Sequence, residues 1–337
     1  MRRTRFALLL GLGAVVALTA GLSAGVAGSS KSEATYKIYL LPKNLGNPYF
    51  NASHQGAKKA AKELGDTVTY NAPTEATGTK QVPFIDTAVR QGYKAIIISA
   101  ADANAVAPAL KRAQSRGVKV VTYDADTVPS ARTVFVSLPD FKSIGEAQIE
   151  WLGSQIGYSG EFAILSATAV APNQNQWIKY MKLAIKKPKY KNMKLVKVAY
   201  GNDNDTKSAQ EAQALLQAYP NLKGIISPTT VGIAAAARVL SQAKKCNVVL
   251  TGLGLPSQMR QYVKSGCVKK FGLWNVVDLG YVAVYTAHAV ADGKVTGAAG
   301  QSYRAGSAGR RTVGAKGVVI GVPPFAFTKT NIDQFKF

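Results

Sequence analysis

The sequence contains little of what metal and catalytic chemistry usually require. Its 337 residues include only two histidines, His54 and His288, and two cysteines, Cys246 and Cys267. Both histidines lie within helical patterns of apolar residues, so neither a metal-ligand cluster nor a Ser/His/Asp set is visible. Gly252-Leu253-Gly254 is too short for a dinucleotide fingerprint, and no P-loop is present. The sequence therefore predicts a protein that is not an enzyme and has no metal and no cofactor.

Acidic residues are also scarce, with 18 against 42 lysines and arginines and a net charge of +24. The excess fits lysines on solvated helix faces, and it also fits attraction to an anionic envelope or membrane surface. No long basic run and no interleaving of basic with aromatic residues occurs, so no nucleic-acid partner is predicted. Asp124 and Asp126 alternate on one extended segment and should point in opposite directions, which disfavours a glycosidase pair.

The N-terminal segment resembles a secretory signal. Arg2, Arg3 and Arg5 precede the apolar stretch 6–22, and the small residues 26–28 offer a cleavage site. We predict a signal peptide over 1–28 and a location in the periplasm or on the outer face of the cell membrane. Loss of the three arginines with the signal peptide lowers the net charge of the chain from +24 to +21. A retained single-span anchor is the alternative.

The two cysteines lie in the exported part of the chain. Cys246 comes just before the strand-like residues 248–250, and Cys267 just before the next strand-like segment, 270–273. If those strands are parallel neighbours, both cysteines lie at one edge of the sheet, and a disulfide suits an oxidising compartment. Two free buried thiols are the alternative.

Strand-like apolar runs alternate with helical segments twice along the chain. Two successive β-α-β-α series predict an α/β protein with two doubly wound parallel-sheet lobes and right-handed crossovers. We assign 36–137 and 276–317 to the N-terminal lobe, and 138–275 and 318–337 to the C-terminal lobe. The chain then crosses between the lobes more than once, which makes a multi-strand hinge.

Polar and aromatic residues cluster where the predicted strands end. Ligands of open α/β sheets bind at the carboxyl ends of the strands, so these residues should share one crevice. Uncharged amides that both donate and accept hydrogen bonds suit a neutral polyhydroxylated ligand, and aromatic rings can stack on a sugar. The candidates are Lys43, Asn47, Tyr49, Phe50, Asp124, Asp126, Asn173, Gln174, Thr230, Trp274 and Asn275.

Several short motifs resemble one family. They are Leu41-Pro42-Lys43, Asn71-Ala72-Pro73-Thr74-Glu75, Asn173-Gln174-Asn175-Gln176-Trp177, Pro228-Thr229-Thr230-Val231-Gly232 and Phe271-Gly272-Leu273-Trp274. Together they resemble the periplasmic sugar-binding proteins of the ribose type, which deliver ligand to ABC transporters. The similarity narrows to the branch that holds rhamnose-binding proteins and the receptor for the furanosyl quorum-sensing autoinducer. The resemblance implies the type I periplasmic binding protein fold.

The resemblance also implies roles for individual residues. The lysine and first aspartate of the autoinducer receptor fall on Lys43 and Asp124. Its Asp-Gln pair falls on Asn173-Gln174, so asparagine stands where that receptor has aspartate. Its Pro-x-Ala falls on 228–230, which adds Pro228 to the candidates and puts Thr230 where that receptor has alanine. The asparagine and the threonine are both similar to the rhamnose-binding type.

The broader ribose-type family adds two further matches. Its Asn-x-aromatic-aromatic motif matches Asn47, Tyr49 and Phe50, and its polar residue after the sixth strand of the C-terminal lobe matches Asn275. The family places its ligand between the lobes and closes around it.

The resemblance implies an exported monomer that binds rhamnose or a similar monosaccharide and delivers it to a membrane permease. The autoinducer receptor is the alternative. A sugar-responsive transcription regulator would need a helix-turn-helix where the signal-like segment stands. A secreted glycoside hydrolase would need a carboxylate pair that the sequence does not offer.

Overall fold

A computed structural model of the protein describes residues 35–137, 140–321 and 324–337. The predicted signal segment, 1–28, lies outside these residues. None of the helices within them is long and apolar enough to cross a membrane. Ala34–Phe337 forms one compact unit. This unit contains two clusters of buried apolar side chains, which are the hydrophobic cores of the fold.

The first half of the chain, joined by the late strand β13 (Val318–Ile320), builds a parallel sheet in the order β13-β5-β4-β3-β1-β2. Its inner strands β1, β3, β4 and β5 are largely apolar and buried, as expected for a parallel sheet covered by helices on both faces, whereas the edge strand β2 is not. The elements up to this point are β1 (Lys37–Leu41), α1 (Pro48–Leu64), β2 (Thr67–Tyr70), α2 (Gly78–Arg90), β3 (Ala95–Ile98), α3 (Ala103–Ser115), β4 (Lys119–Tyr123) and β5 (Val134–Ser137).

The second half repeats the pattern in a parallel sheet of order β7-β6-β8-β9. Strand β10 lies beside β9 through a parallel bridge between Leu253 and Gly272. The elements are α4 (Phe141–Ile156), β6 (Ser159–Ser166), α5 (Pro172–Ala184), β7 (Asn192–Tyr200), α6 (Asp205–Ala218), β8 (Leu222–Ser227), α7 (Thr230–Gln242), β9 (Val249–Gly252), α8 (Pro256–Lys264) and β10 (Phe271–Trp274). The two predicted α/β lobes are therefore confirmed.

The C-terminal part of the chain connects the lobes. It comprises α9 (Val276–Ala291), the hairpin strands β11 (Ser302–Arg304) and β12 (Arg310–Thr312), and then β13 (Val318–Ile320) and β14 (Pro324–Phe327). Helix α9 packs on α1 and on β3, β4 and β5, whereas β14 pairs antiparallel with β10. The chain thus passes between the lobes after β5, after β10 and after β13.

One predicted lobe boundary is wrong. The sequence pattern assigns residues 318–337 together to the C-terminal lobe, but β13 pairs in parallel with β5, with Val318 opposite Phe135 and Ile320 opposite Ser137. The short apolar strand extends the open edge of the first sheet, and only the chain from β14 onward joins the second. We propose 35–137 with 276–321 as the first lobe, and 140–275 with 324–337 as the second.

Helices α1 and α9 approach each other so closely that only glycine fits at the crossing. A Cβ on Gly56 would lie 1.8 Å from the Val277 carbonyl oxygen, and a Cβ on Gly280 would lie 1.9 Å from that of Ser53. Both helices begin beside the interlobe cavity described below, one with Tyr49 and Phe50 in its first turn and the other just after Trp274. The crossing therefore fixes the start of α1 relative to the start of α9 within the first lobe.

The structure contains the predicted disulfide between Cys246 and Cys267, whose Cα atoms are 4.8 Å apart. Cys246 precedes β9 and Cys267 precedes β10, and the parallel bridge between those strands places both cysteines at one edge of the sheet. The disulfide closes a loop with a sequence separation of 21 residues.

Replacing both cysteines should lower stability without changing ligand binding. A loop of this size limits the unfolded chain, so the double variant Cys246→Ser/Cys267→Ser should lose about 3 kcal/mol of unfolding free energy. Denaturant unfolding measures this loss. Thiol titration of the denatured, unreduced protein should find no reactive thiol, and finding two would contradict the disulfide.

Candidate functional site

The carboxyl ends of the strands of both lobes enclose an inner cavity of about 30 Å³, which has room for about two water molecules. A wider groove of about 980 Å³ lies beside it, and the two share Asn47 and Asp203. The lining of the inner cavity includes ten of the twelve predicted ligand residues: Lys43, Asn47, Tyr49, Phe50, Asp124, Asn173, Gln174, Pro228, Thr230 and Trp274.

Asp124 is the centre of the polar network in this cavity. Its carboxylate accepts hydrogen bonds from Tyr49 Oη at 3.0 Å, Ser99 Oγ at 2.7 Å and Asn173 Nδ2 at 3.3 Å. Lys43 Nζ lies 3.6 Å from the same carboxylate. Asp124 follows β4 with a φ of 60°, a left-handed conformation that aspartate tolerates better than most residues. The turn thus carries a buried carboxylate that is bonded from both lobes.

Asn173 connects the two lobes through a single amide. Its Oδ1 accepts from Lys43 Nζ at 3.1 Å and from the Gln174 backbone N–H at 2.9 Å, while its Nδ2 donates to Asp124. Lys43, Asp124 and Asn173 are all less than 5 % exposed. A neutral amide can serve the cation and the carboxylate together because it offers both an acceptor and a donor.

Aromatic side chains form one wall of the cavity and orient Asp124. Trp274 Nε1 donates to Tyr49 Oη at 3.0 Å, and Tyr49 in turn donates to Asp124. Burial and the adjacent Asp124 carboxylate raise the pKa of Tyr49 well above its ordinary value, so the phenol keeps its proton and remains a donor. Trp177 and Trp274 lie with ring centroids 6.0 Å apart, and Phe50 meets Tyr49 edge-on at 5.1 Å.

The amides 173–176 lie in the first turn of α5, although the sequence predicted them in the loop before it. Pro172 begins the helix, because its fixed φ suits the first helical position and its missing N–H costs no helical bond there. The Gln174 side-chain oxygen accepts from Ser166 Oγ and from the Ala167 backbone N–H, each at 2.8 Å. Its NH₂ group has no acceptor among the described residues and is available to a ligand.

Two predicted residues serve the fold instead of lining the cavity. Asp126 accepts two 2.8 Å hydrogen bonds from the Arg132 guanidinium and one of 2.6 Å from Thr122 Oγ1, so its carboxylate is engaged away from the cavity. Asn275 caps α9, accepting from the Val277 backbone N–H at 3.1 Å and donating to the Asp278 carboxylate.

Asp203 and Trp177 also line the site, although neither is among the residues predicted from the sequence. Asp203 follows β7 with a φ of 50°, and Thr229 Oγ1 donates to its carboxylate. Burial raises the pKa of Asp203, although the Lys43 ammonium and the Thr229 hydrogen bond lower it in part. The signal was the polar run 202–205 at the carboxyl end of a predicted strand. Trp177 Nε1 is buried and has no acceptor among the described residues.

This arrangement can bind but offers no catalytic constellation. The cavity places carboxylates, an ammonium group, amides and hydroxyls around aromatic surface, with donors and acceptors supplied by both lobes. No group of histidine, cysteine and acidic side chains that could hold a metal occurs within the described residues.

Two parallel α/β lobes, joined by three passages of the chain and lined by polar groups where they meet, define a two-lobed solute-binding protein. Residues 38–295 match the model of the periplasmic binding protein domain, and the chain belongs to that family. It is a sugar-binding protein of the ABC transporter type, and it is not an enzyme.

Three solved structures are similar to almost the whole chain. A sugar ABC transporter protein from Actinomyces odontolyticus is 46% identical, over 90% of this chain and 98% of that chain, with a TM-score of 0.71. A solute-binding protein from Clostridium phytofermentas with bound L-rhamnose is 36% identical over the same shares, with a TM-score of 0.87. LsrB from Clostridium saccharobutylicum in complex with AI-2 is 26% identical over 89% and 100%, with a TM-score of 0.84.

Replacing Asp203 by asparagine should stabilise the ligand-free protein most at neutral pH. Because the pKa of Asp203 is raised in the fold, its contribution to stability is present at low pH and is lost as the pH rises through that pKa. The melting temperature of Asp203→Asn, measured by calorimetry, should exceed that of the parent more at pH 7 than at about pH 4.

The matched control is Asp205→Asn, two residues along the chain. Asp205 is exposed and pairs with Arg238 at the surface, so this substitution should not stabilise the protein at neutral pH. Equal changes in melting temperature for Asp203→Asn at both pH values would show that ionisation of the buried Asp203 carboxylate does not destabilise the fold.

Proposed function

We propose that this protein is the L-rhamnose-binding component of an ABC sugar importer and that the sugar binds between the lobes at Asp124 and Asn173. The observation that carries the proposal is the neutral Asn173 amide, bonded to Lys43 and Asp124 across the cavity. The similarity to the rhamnose-bound protein of Clostridium phytofermentas supports the same ligand.

The chemistry of the cavity suits a deoxy sugar. Carboxylates accept hydrogen bonds from vicinal hydroxyls, and the Asp124 and Asp203 carboxylates can serve the hydroxylated edge of the ring. The apolar part of the lining comes from Leu253, Leu273 and Trp274. Burial of the sugar's methyl group against these side chains is favourable, because it removes apolar surface from water. A sugar is larger than the inner cavity, so binding requires the lobes or the lining side chains to move.

Such a ligand would couple binding to the hinge. Because its partners come from both lobes, it binds the closed arrangement more tightly than the open one and shifts the population toward closure. We propose that a membrane permease receives this closed, monomeric form. Export then requires the N-terminal segment, and we propose that 1–28 is removed as a signal peptide.

The furanosyl autoinducer is a second candidate ligand. Lys43, Asp124 and Gln174 stand where that receptor type has the same residues, and the AI-2 complex of LsrB has a similar fold. Asn173 and Thr230 replace an aspartate and an alanine of that pattern, and these two replacements favour rhamnose.

Titration calorimetry on residues 34–337 tests the proposal. We expect micromolar or tighter binding of L-rhamnose and at least tenfold weaker binding of D-ribose, D-galactose and AI-2. Stronger binding of AI-2 would select the second candidate. Binding of none of the four would keep the fold and exclude both ligands.

Loss of the bridging amide should weaken rhamnose binding strongly. Asn173→Ala leaves the Lys43 ammonium and the sugar with one partner fewer in a buried site, and the affinity should fall by about tenfold or more. Asn175→Ala is the matched control, since that amide donates outside the cavity to the Ala169 carbonyl and should have little effect. Equal affinities of the two variants would place the sugar elsewhere.

A further inference from the structure

The surface of the second lobe carries a positive region that sugar binding does not use. No acidic residue occurs between Glu161 and Asp203, while that interval contains eight lysines. Six of them lie within residues 179–191, at the end of α5 and in the turns before β7, and all six are exposed. We name this set the lysine patch: Lys179, Lys182, Lys186, Lys187, Lys189 and Lys191.

Most of the lysine patch lacks a compensating charge. Lys187 pairs with Glu146 at 2.9 Å, and Lys189 pairs with Glu150 at 2.8 Å. The other four lysines form no ion pair with any acidic residue that the structure describes. Self-repulsion among these lysines costs stability, so their concentration in one exposed segment favours an anionic partner.

An exposed leucine lies inside this positive region. Leu183 is 48 % exposed, one of the few large apolar side chains left at the surface of the described chain. Lys179 lies four residues before it on α5, so the two side chains share one face of the helix, and Lys182 is the adjacent residue. The helix ends at Ala184, and Lys186 and Lys187 follow in the exposed turn just beyond it. The opposite face of α5, with Trp177, Ile178 and Met181, is buried in the lobe.

The residue types favour a diffuse anionic surface over a single bound anion. Every basic residue of the patch is lysine, a mobile point charge, and none is arginine, whose planar fork binds one phosphate or carboxylate in fixed geometry. Lysines around an exposed apolar side chain are the combination that binds at the headgroup boundary of an anionic bilayer. A soluble polyanion would gain nothing from Leu183.

We propose that the lysine patch with Leu183 docks this protein on an anionic lipid surface. Asn173 and Leu183 are ten residues apart on α5, roughly 15 Å along the helix axis at 1.5 Å per residue. Docking through the patch therefore leaves the cavity between the lobes clear, and membrane contact and sugar binding should be independent.

Cosedimentation of residues 34–337 with lipid vesicles tests this proposal. We expect binding to vesicles that contain phosphatidylglycerol, weakening as salt increases, and little binding to vesicles of phosphatidylcholine alone. Near an anionic membrane each lysine contributes about fivefold to partitioning, so Lys179→Glu/Lys182→Glu/Lys186→Glu should lose at least about tenfold. Leu183→Ser should weaken vesicle binding but not binding to inorganic polyphosphate.

The matched control reverses three exposed charges on the first lobe, Lys94→Glu/Lys111→Glu/Arg116→Glu, which changes the net charge equally. Equal loss of binding in both triple variants would show that total charge acts, not the patch, and would overturn the proposal. Equal binding to both vesicle types, or a Leu183→Ser variant that binds vesicles like the parent, would also overturn it. If the triple variant fails to fold by circular dichroism, the glutamine substitutions at the same positions replace it.

Discussion

Burial of the Asp124 carboxylate is the constraint on which the site depends. An ionised group at 3 % exposure is costly unless hydrogen bonds and opposite charge replace its water. Tyr49 and Ser99 bond this carboxylate from the first lobe, and Asn173 bonds it from the second. Of these three groups Asn173 is the one that joins the lobes, so a ligand that replaces its hydrogen bond to Asp124 acts on the hinge directly.

Two backbone features keep this network in register. The α1–α9 crossing at Gly56 and Gly280 fixes Tyr49 relative to Trp274, whose indole orients the Tyr49 phenol. Asp124 and Asp203, which follow β4 and β7, both adopt a left-handed backbone conformation. Strained conformations of this kind concentrate at functional sites because the surrounding fold enforces them.

The alternation of strands and helices was sufficient to predict the two lobes and the disulfide, because burial of parallel strands produces continuous apolar runs. The sequence pattern could not tell which of Asp124 and Asp126 lines the cavity. That difference depends on the left-handed backbone at Asp124 and on the pairing of Arg132 with Asp126, which the sequence does not reveal. β13 was misassigned because three apolar residues suit either sheet, and only the open edge at β5 decides between them. Asp203 was missed because its role depends on Thr229, which reaches it from another strand end.

The central claim is that one ligand is held jointly by Asp124 and Asn173 from opposite lobes. A double-mutant cycle measured by calorimetry with L-rhamnose, using Asp124→Asn, Asn173→Ala and both together, tests this claim most directly. The account predicts that the two losses are not additive and differ from their sum by at least about 1 kcal/mol, as for groups in one hydrogen-bond network. Additive losses, or no loss from either single substitution, would contradict it.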